Sequence, residues 1–481
     1  MNDIIKFDNE LSIEKSRPGK RGLHFNCPAC ETSIPAQFSR KTEARLPELS
    51  EFDAVRHFTR LSKFNFSVDT HFYPLGSCTM KYNPKVNEEV SVLEGFTNLH
   101  PLSLDENSQG TLEIIYDAQN RLCELCGMDD ATLWPVAGAH GEYTGILLAK
   151  KHFSVKGEDR DEIIVPDSAH GTNPATASMA GFKTVNIQSA ADGRLDLEVL
   201  KKNLNPRTAV IMLTVPNTLG IFEKNIKTIC EMAQANGTLV YMDGANLNAL
   251  IGLVKPGDFG IDMMHLNMHK TFSTPHGGGG PGAGGILVKK HLSPYLPKPR
   301  VEKKDGKYIL NEELPLSIGR IKAHLTNTQV LIRAYAYILN HGPEEFRAIA
   351  ENAIINANYI KSQIEALFPS YSKEYCMHEC VLSPSKELEA KGIKTLDIAK
   401  RLLDYGFHAP TVYFPLIVHE AIMIEPTETE SKETMDAFVE TMKKIYAEAI
   451  ENPDFIKQAP HTMPVKRLDE VLAARQPNLK W

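Results

Sequence analysis

One lysine stands out in the run His265-Leu-Asn-Met-His269-Lys270-Thr271-Phe-Ser-Thr-Pro-His276, which leads into Gly277-Gly-Gly-Gly280-Pro-Gly282. A solvated lysine, with a pKa of about 10.4, is a poor nucleophile at neutral pH. Lys270 follows a short apolar stretch and precedes closely spaced glycines, which let a ligand approach the backbone. That setting suits imine formation with a carbonyl compound. The same pattern also describes a surface lysine beside a loop, so the reading depends on what accompanies it.

Three other places supply that company. Gly138-Ala139-His140-Gly141-Glu142 opens a helical pattern after Asp130–Val136; small residues at a helix start leave N–H groups free for a phosphate, although a tight loop reads the same way. His170 follows the apolar segment 161–166, either as a ring lying against a cofactor or as a hydrogen-bonded structural residue. Asp243 ends the apolar segment 238–242. A buried carboxylate there needs a cation or a ligand nitrogen unless it caps a helix. In chain order these describe a pyridoxal phosphate site. Lys270 forms the imine and Asp243 keeps the pyridine nitrogen protonated. His170 covers a ring face, the helix start at Gly138, Ala139 and His140 takes the phosphate, and Ala245 is a further cofactor-binding candidate. Thr271 is a further phosphate candidate. His269 either assists proton movement or phosphate binding, or only supports the strand end.

These residues need a frame that gathers strand ends. Near-continuous apolar runs at 161–166, 183–187, 209–215, 238–242, 263–267 and 285–288 predict strands buried on both faces of a mainly parallel sheet. Helical patterns alternate with them at 143–150, 195–202 and 227–235, predicting an α/β fold with ligands at the carboxyl ends of the strands. Helices dominate from 330 to 367, and a mixed pattern follows. The expected organisation is an N-terminal arm (1–75), a large α/β domain (76–325), a smaller α+β domain (326–465) and a tail (466–481).

The chain has 481 residues, 42% of them hydrophobic, and a formal charge of −7. That balance argues against nucleic acid as a partner, and no apolar run reaches the ~18 residues of a membrane span. The first residues lack the features of a signal or transit peptide, which predicts a cytoplasmic protein. Eight cysteines in so long a chain do not make a disulfide scaffold. Cys27 and Cys30 supply half of a zinc site at most, whereas Cys123 and Cys126 fall on a helical apolar face and Cys376 and Cys380 form a further pair. No metal site is assigned.

The chain resembles the glycine cleavage system P-protein family, in the form of its second, or beta, subunit. The resemblance is carried by Glu14–Gly19, Phe72–Lys81, Ala137–Glu142, Asp167–Pro174, Asp243–Asn246, His269–Gly282 and Pro415–Ser431, and runs from about residue 12 to about 465. It implies a fold-type I pyridoxal phosphate-dependent transferase, aspartate aminotransferase-like. The implied reaction is decarboxylation of glycine, with transfer of its aminomethyl group to the lipoyl arm of H-protein. It also implies an alpha subunit completing an α2β2 heterotetramer. Within it, Ser77, Cys78 and Thr79 present polar groups to the substrate, with an inert buried thiol as the equal alternative for Cys78. Gly277 to Gly280 form a wall or hinge near the lipoyl entrance, or simply pack. Lys322–Gln329 departs from the family pattern. Rival readings are another fold-type I enzyme, such as an amino-acid decarboxylase or cysteine desulfurase, and a zinc-stabilised assembly subunit.

Overall fold

The computed structural model describes residues 10–24, 26, 34–42, 44–100, 102–103, 106–275 and 282–479. Cys27, Cys30 and Gly277 to Gly280 lie outside them.

Seven strands form the central sheet: β1 (Asp130–Thr132), β2 (Glu162–Pro166), β3 (Lys183–Ile187), β4 (Thr208–Thr214), β5 (Leu239–Gly244), β6 (Met263–Asn267) and β7 (Gly284–Val288). Their spatial order is β1-β7-β6-β5-β4-β2-β3. β2 to β6 pair in parallel, whereas β7 runs antiparallel to both β6 and β1. Alternate residues along a strand feed opposite faces. Ile211, Leu213, Val240, Met242 and Met264 join one apolar core, while Val210, Met212, Tyr241 and Met263 join the other. Burial on both sides is why these strands read as unbroken apolar runs.

The crossover helices begin and end where local chemistry dictates. Asp196 caps the helix Leu197–Asn203 by accepting from the Glu198 and Val199 N–H groups. Ile226–Asn236 stops at Gly237, whose φ of 71° falls in the left-handed region that glycine enters without a steric cost.

A second core lies beyond the sheet. Its strands β10 (Cys380–Leu382), β11 (Thr411–Val412) and β12 (Ile422–Ile424) pair antiparallel in the order β10-β12-β11, and β8 (Arg300–Lys304) with β9 (Lys307–Asn311) makes a separate hairpin. The helix Pro343–Ile364 joins the two cores. Phe346, Ile349 and Ala350 pack with the large core, whereas Ala357, Ile360 and Ile364 pack with the small one. Together with Val330, Leu331 and Tyr337, this carries the large core well past residue 325, because the apolar stripe of Thr328–Asn340 faces the sheet domain. The N-terminal segment also serves the small core. Phe72 is part of it, Leu75 bridges to Ile424, and Gly76 accepts from Thr411 Oγ1 at 2.7 Å.

Cys123 and Cys126 are buried on the helix Gln109–Cys126, and burial pushes the Cys123 thiol up to about 12. Cys376 and Cys380 are likewise buried in the small core.

Candidate active site

The carboxyl ends of β2, β4, β5 and β6 open on a cavity of about 160 Å³, whose wall includes Ser77, Gly138, Ala139, His170, Asp243, Ala245 and Lys270. Segments distant in sequence meet there because parallel strands deliver their carboxyl ends to one edge.

Lys270 sits on the turn after β6, its N–H bonded to the Asn267 carbonyl at 3.2 Å and its carbonyl accepting from Ser273 at 3.0 Å. Asp243 belongs to β5 and is 5% exposed. Its carboxylate accepts from Ala245 N and Asn173 Nδ2, each at 3.1 Å, and lies 3.4 Å from His265 Nε2. Burial alone would raise its pKa, but His265, these two donors and Lys270 outweigh burial and hold it below the ordinary carboxyl value. Asp243 is therefore an anion at neutral pH. Burial lowers the pKa of His265, opposed by Asp243, and Tyr241 hydrogen-bonds the other ring nitrogen of His265.

His170 Nδ1 lies 2.9 Å from Thr172 Oγ1 and 3.2 Å from the Thr172 N, so Thr172 fixes the ring's orientation. Burial lowers its pKa, so the ring is neutral. Thr172 Oγ1 donates to Glu142 Oε2 at 2.8 Å. Glu142 is 1% exposed, and burial followed by Asp243 raises its pKa to about 7.

The helix Gly138–Lys156 begins at the cavity with no side-chain cap on its first N–H groups. A Cβ on Gly138 would lie 2.7 Å from Asn267 Oδ1, so any larger residue would have to displace the buried Asn267 side chain. Among the described residues, Glu142 Oε1, Thr214 Oγ1 and Asn267 Oδ1 are buried without a hydrogen-bond partner, and all three residues line the cavity. Such clustered orphans mark capacity left for a polar ligand. An anion-binding helix start, a carboxylate, a flat-ring histidine and a lysine around one cavity fit pyridoxal phosphate.

Several sequence candidates lie elsewhere. Thr271 Oγ1 accepts from Leu247 N at 2.8 Å and does not line the cavity. His269 faces a neighbouring pocket with Tyr73, Thr79 and Lys81, its Nδ1 3.1 Å from the Ala283 carbonyl. His140 accepts from Val136 N at 3.3 Å and offers only its backbone to the helix start. Burial raises the Cys78 thiol pKa, partly offset by Lys270.

Sequence reasoning missed the small-domain wall. His378 and Glu379 line the same cavity, next to β10. Glu379 accepts from Ser77 N at 2.8 Å, and buried Glu425, after β12, accepts from Thr79 N and Oγ1 at 2.9 and 2.8 Å. Ser77 and Thr79 both have left-handed backbone, φ 66° and 53°. Those conformations cost about 1–3 kcal/mol each and persist only where the surroundings enforce them; here the two carboxylates, each bonded to one of these turns, do so. Buried acids flanking short apolar strands were the available signal.

Residues 96–299 match the family model described as aminotransferase class-V, and residues 349–463 match that of the glycine dehydrogenase C-terminal domain. The chain is 53% identical over 474 residues to a protein of Fervidobacterium nodosum named "Probable glycine dehydrogenase (decarboxylating) subunit 2", spanning 98% of this chain and 99% of that one. A protein of the same name from Bacillus velezensis is 50% identical, with 98% of each chain covered. Among solved structures, a glycine decarboxylase (P-protein) of the glycine cleavage system in inhibitor-bound form superposes with a TM-score of 0.72 at 21% identity, covering 85% of this chain and 93% of that one. A NifS-like protein superposes with a TM-score of 0.62 at 17% identity, over 79% and 100% of the two chains. These likenesses bear out the fold-type I α/β architecture.

Proposed function

The chain belongs to the family of glycine dehydrogenase (decarboxylating) subunit 2, and from that premise we propose that it removes the carboxyl group of glycine and passes the aminomethyl remainder to the lipoyl arm of H-protein. It is a pyridoxal phosphate-dependent enzyme of glycine cleavage, and the subunit name implies a partner subunit. We propose an α2β2 assembly in the cytoplasm. Among the described residues no helix is long and apolar enough to cross a membrane.

The residues divide the work. Lys270, which lines the cavity, would be the residue that holds the cofactor. Asp243, anionic and held by Asn173 and the Ala245 N–H, would keep a proton on the pyridine nitrogen. The start of the helix Gly138–Lys156, with no side-chain cap, would offer its N–H groups to the phosphate. Neutral His170, held in orientation by Thr172, would cover a ring face. Pyridoxal phosphate, when bound, supplies a pyridinium that accepts the electron pair left as carbon dioxide departs. Ser77, on its left-handed turn, stands at the substrate side.

The observation that carries this reading is the meeting of Lys270, Asp243, His170 and an uncapped helix start in one cavity. The test is exchange of labelled carbon dioxide into glycine by this chain with its partner subunit and lipoylated H-protein. Exchange should need all three proteins and vanish in Lys270→Ala; exchange that survives without Lys270 would overturn it.

A further inference from the structure

A ligand carboxylate would find no spare cation in this cavity. Among the described residues no arginine lines it, and Lys270 is its one lysine. Lys270 is taken up with the cofactor. His265 lies 3.4 Å from Asp243 and is spent on that carboxylate. Burial, with Lys270, lowers the His378 pKa to about 3, so this ring is neutral, as is His170. The cavity nevertheless has a further polar wall, made by the small domain.

That wall holds two buried acids, Glu379 and Glu425, which are 3% and 0% exposed. With His378, they place one side-chain atom each within 4.8 Å of one another. Two carboxylates this close in a dry wall share a proton. Its place follows from the donors around each acid. Glu425 accepts from Thr79 N, Thr79 Oγ1 and, at 2.7 Å, Asn246 Nδ2. Glu379 accepts from the Ser77 N–H through one oxygen, and its other oxygen lies 3.8 Å from His378 Nε2. Donors favour the charged form, so Glu425 is the anion and the proton rests on Glu379. Burial raises the pKa of both acids, but on Glu425 it is opposed by Thr79, Lys270 and Asn246, whereas on Glu379 burial and then Glu425 act together. Cys78 and Cys376 are the remaining titratable neighbours. Glu379 alone of the two acids lines the cavity.

Resting on the glycine reading above, we propose that Glu379 is a neutral acid that donates its O–H to the carboxylate of the bound glycine, and so sets the preference for a small carboxylate. The Ser77 N–H pins one oxygen of Glu379 and leaves the other for the ligand. Glu425 is a positioning residue, whose charge keeps the proton on its neighbour. A neutral donor also suits the departure of carbon dioxide. The ligand carboxylate loses its charge in that step, so a fixed cation would stabilise the starting state more than the transition state.

The test uses acetate, which keeps the carboxylate and lacks the amine, so binding is read without reaction. It is titrated by calorimetry into the cofactor-loaded full chain with its partner subunit. Glu379→Gln, whose amide also donates, should hold acetate within about threefold of the parent at neutral pH, and Glu379→Ala about 10-fold more weakly or worse. Between about pH 6 and about pH 10 the parent's affinity should fall more steeply than that of Glu379→Gln, because only the parent loses the donor proton. Infrared difference spectra of the unliganded proteins should show a carboxylic-acid carbonyl band at neutral pH that Glu379→Gln lacks. No such band, an alanine variant as tight as the parent, a glutamine variant outside threefold, or equal pH slopes would each overturn the proposal. Failure of the labelled carbon dioxide exchange, with the acetate pattern intact, would instead refute the glycine reading and leave the donor role of Glu379 standing.

Discussion

Replacing Asp243 by Asn tests the electrostatic half of the cofactor site. The substitution keeps the side chain's size and an oxygen to accept from the Ala245 N–H, now at 3.1 Å. It removes the charge that faces His265 Nε2 at 3.4 Å. At 5% exposure little water screens that charge. A charge-assisted hydrogen bond to the pyridine nitrogen is worth about 1.5–3 kcal/mol. At about 1.4 kcal/mol per decade, Asp243→Asn should bind pyridoxal phosphate about 10- to 150-fold more weakly. The assay is fluorescence titration of the cofactor-free protein, with near-ultraviolet circular dichroism to show an unchanged fold. The bound ring should also lose its nitrogen proton at lower pH. Affinity within about threefold of the parent, with the same spectrum, would refute the pairing of Asp243 with the ring.

Two further outcomes follow from the same geometry. Glu142 has a folded pKa of about 7, above its ordinary 4.5, so its proton stabilises the fold below about pH 4.5 and that contribution disappears as pH rises through 7. Thermal melts of the cofactor-free protein should therefore lose on the order of 3 kcal/mol across that window, and Glu142→Gln should remove this slope; parallel pH profiles would count against it. Lys81, 2% exposed, bonds Glu428 at 2.8 Å and Asn248 and Tyr337 at 3.3 Å. Lys81→Ala strands a largely buried carboxylate and should cost about 3–5 kcal/mol in denaturant unfolding, while Lys81→Met with Glu428→Leu recovers most of it; a single variant as stable as the parent would contradict this.

What the sequence revealed depended on how locally each feature is encoded. Asp243, His170 and Lys270 each follow a short apolar run consistent with a buried strand, so their convergence could be read from topology rules once the runs were taken as strands of one parallel sheet. The antiparallel direction of β7 was not, because Gly284–Val288 is apolar whichever way it runs. The β8–β9 hairpin had a readable signal that went unused. Asp305-Gly306 forms a two-residue turn with φ of 49° and 79° between Lys304 and Lys307, the pattern an Asp-Gly hairpin takes. Glu379 lines the cavity, with Glu425 bonded to Thr79 nearby, only through the packing of the second core; the apolar strands beside them signalled buried acids, but not which cavity they would face. Thr271 misled for the opposite reason. Adjacent to the lysine in sequence, it turns inward to bond the Leu247 N–H.

The central claim is that Lys270 holds the cofactor. Borohydride reduction of the pyridoxal phosphate-loaded protein, followed by peptide mass mapping, tests it in one step. The account predicts a single stable pyridoxyl adduct, on Lys270, with labelling lost when glycine is added before the reductant. An adduct on any other lysine, or full labelling of Lys270→Ala, would contradict it.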